Sequence, residues 1–303
     1  MKRIHPLWSL VLLLLVTASV HGQTVLVGNI NLNTIGKYDS ITGAAINTTL
    51  TGPTPGASVY GITHDDAGAF YVANFSLGTV GKYDLATGAV INASFITGIS
   101  QVTGLAYANG SIYAASFNGG TIGQYDSATG TTINASLISG AGPINFMEIS
   151  GGNLYAAVDS GRVAVYTTAG AVVNTSFITG LTAPGDVAIA GGNLFVTTGN
   201  SIGKYDASTG AVIDASLVTG LSSPIGLVIN GNGNLAVGVY GLNSIQEYDT
   251  SGTLINGSWI TGLNGPVGLD VIPEPSTYAL LGFAFMTVVF VRKRVRCQGS
   301  ARA

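Results

Sequence analysis

The chain has 303 residues, a formal net charge of −3, only 8% charged residues, 44 glycines and a single cysteine. Globular chains ordinarily carry about 25% charged residues, so polarity here comes from neutral Ser, Thr and Asn. Between residues 23 and 271, four basic residues (Lys37, Lys82, Arg162, Lys204) are set against thirteen carboxylates, a net charge of −9. That balance excludes the electrostatic footprint of a nucleic-acid binder, and the lone Cys297 excludes an internal disulfide.

Residues 1–22 read as a secretory signal helix. Lys2 and Arg3 form the positive start, Leu7 to Val16 the apolar run, and Val20-His21-Gly22 a tolerated processing site, which places cleavage after Gly22. The alternative is an uncleaved anchor, for which the apolar run is short.

From residue 24 to 271 one segment recurs six times. It appears as Thr34-Ile-Gly-Lys-Tyr38-Asp39, Thr79-Val-Gly-Lys-Tyr83-Asp84 and Thr121-Ile-Gly-Gln-Tyr125-Asp126, then in degenerate form as Arg162-Val-Ala-Val-Tyr166-Thr167, then as Ser201-Ile-Gly-Lys-Tyr205-Asp206 and Ser244-Ile-Gln-Glu-Tyr248-Asp249. The tyrosines recur about every 42 residues, the period of a four-stranded propeller blade. Each Asp predicts a capped turn closed by a glycine such as Gly88 or Gly130. The strand that follows alternates, with Ile91, Ala93 and Phe95 on one side and Asn92 and Ser94 on the other. Two further apolar strands precede each Tyr, for example Gly61-Ile-Thr63 and Ala69-Phe-Tyr-Val-Ala73.

The first repeat lacks its innermost strand and the last is followed by a surplus one, Pro266–Val271. Joining the two predicts an all-β fold: a six-bladed β-propeller with terminal strand closure, one domain over 24–271. An open β-solenoid is the alternative. The stretch Phe70-Tyr-Val-Ala-Asn74, with Val80-Gly-Lys-Tyr-Asp84 and Thr87-Gly88, resembles NHL and YVTN-type propeller repeats. That likeness implies a fold but transmits no function.

At the C-terminus (272–303), Ile272-Pro273-Glu274-Pro275-Ser276-Thr277 leads into an apolar stretch, 278–291, and then Arg292-Lys293-Arg294-Val295-Arg296. A helix of that length rises about 21 Å, somewhat short of a ~30 Å hydrocarbon core, and its basic end should stay cytoplasmic. Pro273 and Pro275 stop the helix from running backwards and leave an extended tripeptide outside the membrane. This order closely resembles the PEP-CTERM sorting signal. The resemblance implies export in a Gram-negative bacterium, a transient inner-membrane precursor, and processing by an exosortase at Pro273, Glu274 and Pro275. It further implies delivery to the cell surface or an exopolysaccharide matrix. A plain tail anchor is the alternative.

Catalytic constellations are sparse. Beyond residue 22, His64 is the only histidine, no Gly-x-Ser-x-Gly elbow is present, and a zinc site lacks its ligands. His64-Asp65-Asp66 reads as an acidic turn closed by Gly68, and Glu148, Asp186 and Asp270 fall in three blades at different strand positions. No cofactor, metal or catalytic residue is therefore expected. The expected function is a non-enzymatic surface or matrix module that binds polysaccharide or surface proteins; an extracellular hydrolase or lyase acting on sugars or lactones is the alternative. The expected ligand rim is built of Asn31, Asn74, Asn118, Asp159 and Asn243, with Tyr60 and Phe146 beside it, on loops where neutral polar groups and aromatics suit sugars. Asn-x-Ser/Thr triplets at Asn47, Asn92, Asn134, Asn174 and Asn256 read as the polar face of the outer strand.

Overall fold

The computed structural model describes residues 23–52 and 56–273; Gly22, Glu274, Pro275, the signal helix and the 278–291 helix lie outside them. Twenty-four strands, numbered β1 to β24 in chain order, form six four-stranded antiparallel sheets among the described residues. Five sheets are consecutive quartets covering 59–96, 102–138, 144–179, 184–218 and 224–260. The sixth has the order β24-β1-β2-β3, in which β24 (Pro266–Ile272) lies along β1 (Thr24–Asn29). Thr24 pairs with Ile272 and Leu26 with Asp270, so the strand before the proline tag seals the ring. The six-bladed propeller, its terminal closure and its count are as the repeat predicts.

Three blade boundaries share one recurring polar contact. Lys37 donates to the Leu85 carbonyl, Lys82 to that of Ser127, and Lys204 to that of Thr250. Each acceptor is the residue that follows the Asp of the next blade. Lys82 also lies over the Tyr71 and Phe95 rings, so its stem packs while its charge is hydrogen-bonded. The turn aspartates cap as expected: Asp84 Oδ1 accepts from the backbone and hydroxyl of Thr87. Gly88 closes that turn at φ +74°, pressed so tightly on the Leu50 carbonyl of the preceding blade that a Cβ would not fit.

The alternation expected in the outer strands is interrupted. In β7 (Val90–Ile96), Val90 and Ile91 are exposed, and burial begins only towards Phe95 and Ile96. The cause is a bulge: the pairing with β6 (Thr79–Asp84) shifts between Asn92 and Ile96. Within the bulge Asn92 Oδ1 accepts the backbone N–H of Ser94. The same bond recurs in every blade, from Asn47, Asn134, Asn174, Asp214 and Asn256. The triplet asparagines are thus exposed, and they also satisfy an N–H that the ladder leaves free on an edge strand, the kind of edge that otherwise recruits another chain. Replacing all six caps by Ala is expected to leave the thermal midpoint within a few degrees and to produce self-association at concentrations where the parent does not associate. Sedimentation velocity reads this directly, and an unchanged profile would count against the capping role.

Candidate functional site

The innermost strands β4 (Val59–His64), β8 (Val102–Ala108), β12 (Ile144–Ser150), β16 (Pro184–Ala190), β20 (Pro224–Ile229) and β24 surround the axis. Their third residue is glycine in four blades, because a Cβ there would strike the neighbouring strand: Gly61 meets Thr103, and Gly268 meets Tyr60. Blades four and five, whose inner strands are β12 and β16, break the rule with Phe146 and Asp186. Phe146 reaches past Gly104 and stacks on Tyr60 with centroids 5.5 Å apart, and Tyr60 stacks in turn on Phe75 at 5.2 Å. This aromatic stack narrows the axial passage on the face that carries the blade-to-blade loops.

On the opposite face the passage remains a cup of about 440 Å3, with Phe146 and Met147 at depth and Asp66 and Asn109 at its edge. Six titratable groups line it: His64, Asp66, Tyr107, Glu148, Asp186 and Asp270. His64 Nδ1 and Asp270 Oδ2 lie 2.8 Å apart, 206 positions distant in sequence. Burial alone would lower the imidazole pKa, but the Asp270 hydrogen bond and charge outweigh it, and the value is raised. Glu148 is pushed up to about 8, first by burial and then by the negative charges of Asp186 and Asp270. Burial pushes Asp186 up to about 7, although its carboxylate accepts the Val187 N–H and, across the blade boundary, the Leu227 N–H.

Glu148, Asp186 and Asp270 come from three different blades, as expected, yet their side chains line one cavity. They share one cup, because each inner strand shifts register between its first and fourth residues, so position in the strand is a poor guide to direction. Among the described residues no three of the His, Asp and Glu side chains are grouped so as to hold a metal ion. The His64-Asp65-Asp66 reading holds for Asp65, whose Oδ1 caps the turn at Ala67 and Ala69 while Oδ2 accepts from Tyr71. His64 itself enters the cup, a role its neighbours in sequence do not signal.

The expected rim residues lie on the loop face, and most of them hold loops in place. Asn31 bonds Asn264, Asn243 accepts the Gly265 N–H, and the buried Asn74 donates to Thr79. Asp159 accepts from Asn145. Asn118 is exposed and lines a shallow groove with Phe75, Ser76 and Gln101. Tyr60 and Phe146 form the stack between them, with Tyr240 and Asp159 near the Tyr60 phenol. Pro273 is exposed just after β24.

Fold and site define a six-bladed β-propeller with an axial cup. The chain also carries the PEP-CTERM protein-sorting motif at residues 271–294, which implies an exported, membrane-anchored precursor processed by an exosortase. No curated protein matches the sequence. Among solved structures, the fold is similar to that of a chain from a nidogen/laminin complex (TM-score 0.72, 14% identity, 84% of this chain and 99% of that one). It is also similar to a streptogramin B lyase (0.60, 19%, 82% and 86%) and to virginiamycin B lyase from Staphylococcus aureus (0.57, 18%, 71% and 74%). At these identities the likeness speaks for the fold alone.

Proposed function

We propose that the protein is retained at the cell surface or in an exopolysaccharide matrix after sorting through Pro273, Glu274 and Pro275, and that its propeller is a non-enzymatic binding module. The observation that supports this most is the axial passage itself, narrowed on one face by Tyr60 and Phe146 and open on the other as a polar-walled cup. The loop-face residues Asn118, Tyr60 and Phe146 offer a second contact surface, while Asn31, Asn74 and Asn243 support the loops around it. In the exporting host, replacing Pro273, Glu274 and Pro275 by Ala is expected to abolish surface retention and leave precursor in the membrane fraction. Immunoblots of fractionated cells check this, and unchanged retention would refute the sorting step.

The alternative, a propeller hydrolase or lyase, draws on one observation: His64 and Asp270 form a hydrogen-bonded pair beside a Glu148 that is protonated near neutrality, an arrangement able to move a proton. Incubation with quinupristin, the ligand named with a similar propeller, separates the readings. Intact quinupristin by mass spectrometry supports the binding module, and an altered product supports the lyase.

A further inference from the structure

Deep among the inner strands, the cup holds a carboxyl that no hydrogen bond of the described residues uses. Asp186 accepts one backbone N–H on each oxygen, Asp270 is paired with His64, and Asp65 caps its turn. Glu148, deep in the wall of β12, has no hydrogen-bond partner among the described residues, and the nearest charges it feels are the carboxylates of Asp186 and Asp270. Glu148 is half-buried and its side chain lines the open cup, so a carboxyl that the fold leaves without a partner is there for a ligand to meet. The surroundings complete a binding chemistry: Phe146, Met147, Leu105 and Leu227 supply apolar wall around that carboxyl. We propose that the cup binds a protonated primary amine, its ammonium paired with Glu148 and its carbon skeleton lying on Phe146 and Leu105. The inference rests on reading the cup as a ligand site.

Three observations favour an organic ammonium over other occupants. A bare metal ion needs several ligands converging on one point, and the described side chains do not provide them. An ammonium on a carbon chain needs one carboxylate, an aromatic face and apolar wall, and all three are here. The net charge of −9 between residues 23 and 271 draws cations towards the propeller. The groups facing the amine are His64 from β4, Tyr107 from β8, Glu148 from β12, Asp186 from β16 and Asp270 from β24, with Asp66 at the edge; β20 contributes Leu227 and Val228. Glu148 must lose its proton to pair with the ammonium, so binding releases a proton and tightens as pH rises, by up to about tenfold per unit for each proton released.

Isothermal titration of the full propeller with n-butylamine, against n-butanol as the neutral control, tests this at pH 6 and pH 8 in buffers of different ionisation heat. The expected result is binding of the amine alone, tighter at pH 8 with proton release, and weakened at least tenfold in E148Q. Circular dichroism establishes that E148Q is folded, and E148D should retain part of the affinity. Equal binding of butanol, or full amine affinity in E148Q, overturns the proposal. A glucosamine disaccharide and an N-acetyl-lysine amide distinguish a sugar-borne from a protein-borne amine. Retention of matrix polysaccharide without any amine binding would sink the amine assignment while leaving the binding-module reading intact.

Discussion

Deleting Pro266–Ile272 is expected to abolish cooperative folding of the propeller. β24 is supplied from the far end of the chain, and it is the strand on which blade one depends for its contact with the axis. Without it the inner edge of β1 loses its ladder at Thr24, Val25, Leu26, Val27 and Asn29. Val25, Leu26 and Val27 are completely buried, so the groups left unpaired cannot turn to water without opening the blade. Each orphaned buried backbone group costs about 1–3 kcal/mol. Loss of the buried Val267 and Leu269 adds about 1.5–3 kcal/mol each. Together these reach the ~5–15 kcal/mol that holds a domain folded. Trp259 reports the event, because it sits in the same apolar cluster as Val25, Val27 and Leu269 and is the only tryptophan beyond residue 22. Its emission should shift red in the truncated chain, and the sharp unfolding transition should disappear. A synthetic peptide spanning 264–273 should restore both. A truncated chain that melts at the parent's temperature would show that the closing ladder is dispensable.

The ring was readable because its evidence is local and repeated. A Tyr-Asp pair, a capped turn and a closing glycine recur in each well-formed blade, and the surplus last strand could be matched to the missing first one by counting. The outer-strand bulge was hidden because Asn92 and Ser94 look like ordinary alternation; only the ladder shows that one N–H is withdrawn into the Asn side chain. The cup was hidden for a different reason. His64 and Asp270 are brought together only by ring closure, and the register shift at the start of each inner strand brings Asp186 and Glu148 to one axis from different offsets. One signal was present: Phe146 and Asp186 stand where four other blades place glycine, and a lapse in a steric rule marks a position kept for another purpose. Among the loop asparagines, sequence could not separate those that brace loops, such as Asn31 and Asn243, from Asn118, which lines a groove.

The cup also sets how stability should depend on pH. Glu148 titrates at about 8 in the fold against an ordinary 4.5, and Asp186 at about 7 against 3.8, both because burial disfavours the charged carboxylate. Across those windows the native state holds protons that the unfolded chain has released, so stability falls as pH rises. His64 acts in the same direction, since its raised value makes its contribution complete below 6.5 and progressively lost above. The turn aspartates act at the other end. Hydroxyl and backbone donors hold Asp206 and Asp249 at about 2, so what they contribute is present above their ordinary value and lost only in stronger acid. The maximum should therefore lie near pH 4. Each unit of pKa difference corresponds to ~1.4 kcal/mol, so Glu148 and Asp186 together account for about 7 kcal/mol of loss between pH 5 and pH 8, a fall in melting temperature of about 15–25 °C for a domain of this size. E148Q keeps the shape of the side chain and removes its titration, so it should flatten most of that slope and melt higher than the parent at pH 8. Differential scanning calorimetry from pH 4 to pH 9 measures both, and a melting temperature that climbs between pH 5 and pH 8 would mean that Glu148 is not sequestered. n-Butylamine should give back part of the lost stability at pH 8 and little at pH 5, because a ligand that pairs with the ionised carboxylate stabilises only the state in which that charge exists.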